Sequence, residues 1–324
     1  MAGNAPTRSS GTSTRVARSD GTRPARFTLR LGFQRRNQIL GFLLFLPVLI
    51  WILAVLVYPI IVAVVLSFQD ARLSAVNARW VGFANYVRIL ERDPEFWTAA
   101  KNTVVWTAGN YVVQMGVGLL IALLLNRRFP GGESLRTWIV VPWVIPTVAM
   151  AIMWVWMLNA SVGVINHLLL GLGLIAQRAA FLGDPVAAMP TVVILNSWRW
   201  FPLVTVVLLA AMQTVPNELY EAALVDGASA WARFRHVTLA WIRPTLHVLS
   251  LLVLIWIFNS FVVVWLTTQG GPGNATLILP VLVYKRAFSV FRLSEAAAIS
   301  VLMSVVLLVL AMLYLRSQRM EESA

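Results

Sequence analysis

The chain has 324 residues, 59% hydrophobic and 12% charged, with a formal net charge of +13 at pH 7. Its apolar residues fall in blocks of about 20, the length that crosses a bilayer, and too few polar residues remain to cover a soluble domain. There is no cysteine, which excludes disulfides and thiol catalysis. The composition therefore describes an all-α polytopic membrane protein.

Residues 1–36 hold eight arginines against the single Asp20, a net +7, among many Ser, Thr, Gly and Pro. This tail cannot bury enough apolar surface to fold, and basic tails ahead of a span face the cytoplasm and anionic lipid. Lipid contact explains the charge without nucleic acid. The first apolar run, about 39–68, is far longer than a signal-peptide core of roughly 7–15 residues, so no cleavage is expected.

Residues 37–324 read as one six-span unit without an internal repeat. The spans lie at about 39–68, 103–125, 138–158, 188–212, 246–267 and 296–315. An even number puts both termini on one side, and the tail arginines assign that side to the cytoplasm. Arg127, Arg128, Arg136, Arg233, Arg235 and Arg243 then lie inside. The outer arginines Arg72, Arg79, Arg88 and Arg92 share their loop with Asp70, Glu91, Asp93 and Glu95.

Between spans four and five, residues 214–244 form the one long polar stretch that also reads as ordered helix. Pro216 suits a helix start. Leu219, Ala222 and Ala223 share a face at i, i+3 and i+4, and the two alanines leave room for another protein to approach. Gly227 stops the helix, and Ser229 caps a second one carrying Trp231, Arg233, Phe234 and Arg235. The result is a helix–turn–helix knob on the cytoplasmic side.

These residues carry a resemblance. Glu221-Ala222-Ala223, then Gly227, then Val237-Thr238-Leu239 resembles the EAA loop of the membrane subunits of bacterial ABC importers. Asp226-Gly227-Ala228-Ser229 and Pro244 are similar to the maltose and glycerol-phosphate-type carbohydrate branch. The family pattern usually ends Leu-Pro, whereas Ala240 follows Leu239 here. The resemblance implies a permease subunit in the bacterial cytoplasmic membrane, with Glu221, Ala222, Ala223, Asp226, Gly227 and Ser229 coupling it to an ATPase. It implies four kinds of partner: a second homologous permease, two cytosolic ATPases, an extracytoplasmic solute-binding protein and a carbohydrate or polyol substrate.

The chain's own chemistry is sparse. Lys101 and Lys285 are the only lysines, and neither sits in a glycine-rich phosphate loop, so ATP and Mg would bind a partner chain. His167, His236 and His247 lie in separate segments without metal-ligand spacing, and no catalytic or metal site is expected. All acidic residues are assigned to the tail, loops or C-terminus. That disfavours the main alternative, an ion-coupled secondary carrier, which usually places carboxylates inside its spans. A non-transport enzyme or scaffold would need a clustered polar constellation at one depth.

Polar groups inside the spans are costly unless they find partners or face a watery path. Span four carries Asn196, Ser197, Trp198, Arg199 and Trp200; span five carries Asn259 and Ser260. Amides that exchange hydrogen bonds, beside rings that stack on sugar faces, suit a carbohydrate path through Asn196, Trp198, Arg199, Asn259 and Ser260. Interhelical hydrogen bonding fits the asparagines equally well. In maltose-type permeases the sugar lies on the spans flanking the EAA loop, a regional match to Asn196 and Asn259.

Overall fold

The computed structural model describes residues 28–71, 78–127 and 129–322; Arg72, Arg128 and the tail before residue 28 lie outside the described residues. Five described helices are long and apolar enough to cross a membrane, or six if one bent pair counts as a single span. The chain forms two compact units, one ending at Pro59 and one beginning at Ile60.

Helix α1 (Thr28–Ile52) starts inside the stretch read as tail, and the apolar part of the first span begins at Gly41. A π-helical turn at Leu53–Val57 passes the chain into α2 (Tyr58–Ser67). Leu44 and Trp51 are exposed, as lipid-facing side chains are in a hydrocarbon solvent.

Beyond Ile60, a two-residue antiparallel ladder pairs β1 (Gln69–Asp70) with β2 (Arg79–Trp80). After α3 (Ala84–Arg92), helix α4 (Pro94–Leu125) begins at Pro94 rather than near 103. The reason is local. Asp93 Oδ1 accepts from the backbone N–H of Glu95 at 3.0 Å and Phe96 at 3.2 Å, and Pro94 occupies the position that needs no donor.

The third span is not continuous. It consists of α5 (Gly132–Trp138), α6 (Val141–Val144) and α7 (Thr147–Met157), and bends by 92° before α7. Pro146 forces Ile145 into an extended conformation (ψ 128°), which breaks the helix there. Next come α8 (Val164–Gly171) and α9 (Ala188–Gln213), the latter within one residue of the predicted fourth span.

The knob follows as α10 (Asn217–Val225) and α11 (Ala230–Arg233). Here the fifth span differs most from the expectation. From α11 the helix runs through a π-helical turn at Phe234–Thr238 into α12 (Leu239–Phe258), within one stretch of Ala230–Thr267. Ala240 keeps its N–H where the family pattern has proline, and Pro244, four residues on, lies inside α12 without ending it. Asn259–Phe261 interrupts the stretch before α13 (Val262–Thr267).

After α14 (Leu279–Tyr284) and a π-helical turn at Lys285–Ser289, α15 (Leu293–Glu322) forms the last span. Its start at Leu293, ahead of residue 296, takes Glu295 into its first turn, buried at 4% exposure. The assignment of every carboxylate to loops and tails is corrected accordingly.

Helices α4 and α9 form the centre of the core. A Cβ on Gly118 would stand 2.5 Å from Val204 Cγ1, so only glycine permits this approach. Trp106, fully buried, donates from Nε1 to the Ile257 carbonyl at 3.0 Å and fastens α4 to the end of α12.

An ion network joins the segments at the other end of α4. Arg286 reaches Asp93 at 2.9 Å, Glu95 at 2.7 Å and Glu295 at 3.1 Å, and Arg88 and Arg292 also contact Glu295. This explains how Glu295 is tolerated out of water. Arg286→Ala is expected to lower stability by about 2 kcal/mol, below the full loss for a broken buried pair because Arg88 and Arg292 stay on Glu295. An unchanged thermal unfolding midpoint in detergent would contradict this.

Candidate functional site

Two constructions lie on the same pair of helices: a mainly apolar cavity carrying a few polar groups, and the knob that joins them.

The cavity has a volume of about 380 Å³ and lies where α12 ends and α9 passes it. Asn196, Arg199, Asn259 and Ser260 all line it, so four of the five residues predicted for a path are brought together. Irregular backbone at Asn259–Phe261 is tolerated inside a span because it borders this cavity. Asn259 lies at the C-terminal cap of α12, with Nδ2 donating to the Ile255 carbonyl at 2.9 Å.

Trp198 is not part of the cavity. Its ring packs edge-on against Trp154 of α7, centroids 5.4 Å apart. Trp200 takes its place, tilted against Trp256 with centroids 5.8 Å apart. Helical spacing accounts for the exchange: 196, 199, 200 and 203 share one face, and 198 does not. Trp256, Gln114 and Thr147 also line the cavity and were missed.

Asn196 is structural, and one of its polar atoms is left over. Its Nδ2 donates to Asn110 Oδ1 at 2.7 Å, and the same oxygen accepts from Ser197 at 3.1 Å and Gln114 at 3.2 Å. The interhelical reading of Asn196 is thus realised. Yet its Oδ1 is buried and has no partner, an acceptor left unsatisfied beside the cavity. Arg199 is held by the Ile145 carbonyl at 3.3 Å, with its guanidinium 4.7 Å from the Trp200 ring centroid. No aspartate or glutamate lines the cavity.

The knob is built as its sequence dictates. Gly227 has φ +73°, its N–H reaches the Leu224 carbonyl at 3.0 Å, and Ala228 N–H reaches the Ala223 carbonyl at 2.9 Å. These two bonds close α10 as a Schellman motif, in which the left-handed position favours glycine. Ser229 Oγ accepts from Ala232 N–H at 3.2 Å and starts α11. Tyr220 Oη lies 2.9 Å from Thr238 Oγ1, and Trp241 donates to Thr214 Oγ1 at 3.0 Å, so α10 and the end of α9 are both tied to the long helix. Glu221, Ala222, Asp226, Gly227 and Ser229 are exposed, and Ala223 is half-buried. Leu224, Val225 and Trp231 are exposed beside them, an apolar patch on a polar knob.

Residues 114–322, which contain the cavity and the whole knob, match the model of the family described as binding-protein-dependent transport system inner membrane component. The chain belongs to this family of ABC importer permeases. The permease is 34% identical over 287 residues to the trehalose/maltose transport system permease protein MalF of Thermococcus litoralis, covering 88% of this chain and 95% of that one. It superposes with TM-score 0.79 and 27% identity on the crystal structure of a bacterial ABC transporter involved in the import of the acidic polysaccharide alginate, covering 90% of this chain and 98% of that one. A bacterial alginate ABC transporter in complex with an alginate pentasaccharide-bound periplasmic protein gives TM-score 0.77 at 26% identity, covering 88% and 96%. The permease is thus a transport component of the inner membrane rather than an enzyme, and it works with a binding protein. Among the described residues no group of three or more His, Cys, Asp or Glu is placed to hold a metal.

Proposed function

We propose that this permease forms half of the translocation path of an ATP-driven sugar importer, and that the cavity beside Asn259 is where the sugar passes. One observation carries the reading. Open amide and hydroxyl groups and a tryptophan pair meet at a break in the very helix that begins in the knob. Rings stack on the apolar faces of a sugar, while Asn259 and Ser260 answer its hydroxyls. A second, homologous permease closes the path from the other side. The solute-binding protein delivers the sugar at the end bearing the Arg286 network.

Two ATPase subunits drive the complex, and one of them docks on the exposed knob of this chain, with Glu221 pairing a cation and Ala222, Ala223, Leu224 and Val225 seated in an apolar cleft. ATP and Mg bind those subunits. Both termini then face the cytoplasm, since the knob must meet a cytosolic partner. The carboxylate-free cavity gives proton coupling no obvious group to use.

The test is uptake of labelled maltose, trehalose and acidic oligosaccharides into proteoliposomes containing the complete complex, with and without internal ATP. Uptake of one of these that needs ATP and the binding protein supports the reading; ATP-independent uptake driven by an ion gradient overturns it. Trp256→Ala should raise the half-saturating sugar concentration about tenfold, the effect of losing one stacked ring.

A further inference from the structure

A second cavity, of about 560 Å³, lies at the knob end of α4 and α9. We propose that it binds the phosphate group of an anionic lipid from the leaflet on the knob side.

The lining supplies the chemistry of a phosphate site. Arg127 and Arg136 face Glu133 alone as a carboxylate, which leaves an excess of positive charge, and Asn126, Gln213 and Asn217 add neutral amides. Arg136 is already fixed. Its Nη2 donates to the carbonyl of Leu125, the last residue of α4, at 2.8 Å. Its Nε is buried and finds no hydrogen-bond partner. A buried guanidinium N–H without an acceptor is expensive, and a phosphate oxygen would satisfy it with a charge-assisted bond. The Arg127 side chain is exposed and makes no hydrogen bond or ion pair among the described residues, so it can close over the same group.

The position selects a lipid as the source. The cavity opens where α4 ends at Leu125 and α9 ends at Gln213, the depth at which a bilayer changes from hydrocarbon to headgroup. Leu124 and Trp138 are exposed nearby in sequence on α4 and α5, apolar surface suited to an acyl chain. Basic pockets between membrane helices at this depth suit anionic headgroups.

The experiment is native mass spectrometry of the full chain, with the subunits it co-purifies with, released from bilayers of phosphatidylcholine and phosphatidylglycerol. Retention of phosphatidylglycerol over phosphatidylcholine is expected, falling at least fivefold in Arg127→Gln. That variant removes no bond seen in the fold; Arg136→Gln should behave alike but also frees the Leu125 carbonyl. Inorganic phosphate at millimolar concentration should not displace the lipid. Equal retention of the two lipids, or wild-type retention in Arg127→Gln, overturns the proposal. Displacement by phosphate overturns the lipid as source and assigns the site to a free anion. No sugar or nucleotide is present in the assay, so loss of lipid binding and failure of the transport reading remain separate results.

Discussion

Gly227→Pro is expected to abolish ATP-driven uptake while the protein still inserts in the membrane at normal level. Proline fixes φ near −65°, whereas Gly227 sits at +73°, and it lacks the N–H that reaches the Leu224 carbonyl. Both effects fall on the two-bond closure of α10, so the short helix must leave its angle to α11. The membrane helices gain and lose nothing directly. ATP hydrolysis by the assembled complex should therefore continue at a basal rate without stimulation by the loaded binding protein. Gly227→Ala is the control. Nothing lies within 4 Å of its added Cβ, so it meets only the left-handed penalty of about 1–2 kcal/mol. It should transport at a reduced rate and remain coupled. Equal, normal uptake by both variants would remove the knob from the coupling path. Glu221→Lys, on the exposed face of α10, should uncouple in the same way by reversing the charge offered to the ATPase.

Asn110→Leu should have the largest effect on stability. Asn110 Oδ1 is the shared acceptor for Asn196, Ser197 and Gln114, and Asn110 is itself fully buried. Leucine has about the right volume but no acceptor, so three donors between α4 and α9 lose their partner at once. At about 1 kcal/mol for each bond inside a membrane, the loss is about 3 kcal/mol. The cavity wall would also reorganise, since Asn196 would turn from its present aim. Thermal unfolding of the purified complex reads the first effect and sugar affinity the second. An unchanged midpoint would mean that the amides find other partners.

Much of this fold was legible because the membrane makes helix length and hydrophobicity follow each other closely. Helix α9 was placed to within a residue, and Gly227 and Ser229 announced the turn of the knob by the conformations their side chains permit. What escaped was where the pattern is set by local bonds. Asp93 extends α4 backward through a cap, which hydropathy does not register. The apolar run around Pro146 reads as unbroken while the chain bends by 92°. Residues 240–244 show the converse: the helix continues through Ala240, and through Pro244 as well, where the family pattern predicts an exit. In the cavity, the sequence supplied the right five-residue stretch but not its phase, and Trp198 stood in for Trp200. Trp256 had no local signal, because only the packing of α12 against α9 brings it to the same wall, while Gln114, an amide inside a span, carried the same signal as Asn196 without being assigned to the path.

The unbroken run from Ala230 into α12 acts as a shaft, and a shaft transmits angle as well as distance. Each residue of α-helix turns the axis by about 100° and lengthens it by about 1.5 Å. A single residue inserted anywhere between Trp241 and Trp256 would thus swing the knob about a quarter-turn away from Asn259 with every side chain still in a helix. The wider π-helical turn at Phe234–Thr238 is the place in this shaft where the winding already departs from that pitch. The number of residues between dock and cavity is therefore itself a specification of the machine. Relatives that exchange knobs with this permease must match it in count before they match it in sequence.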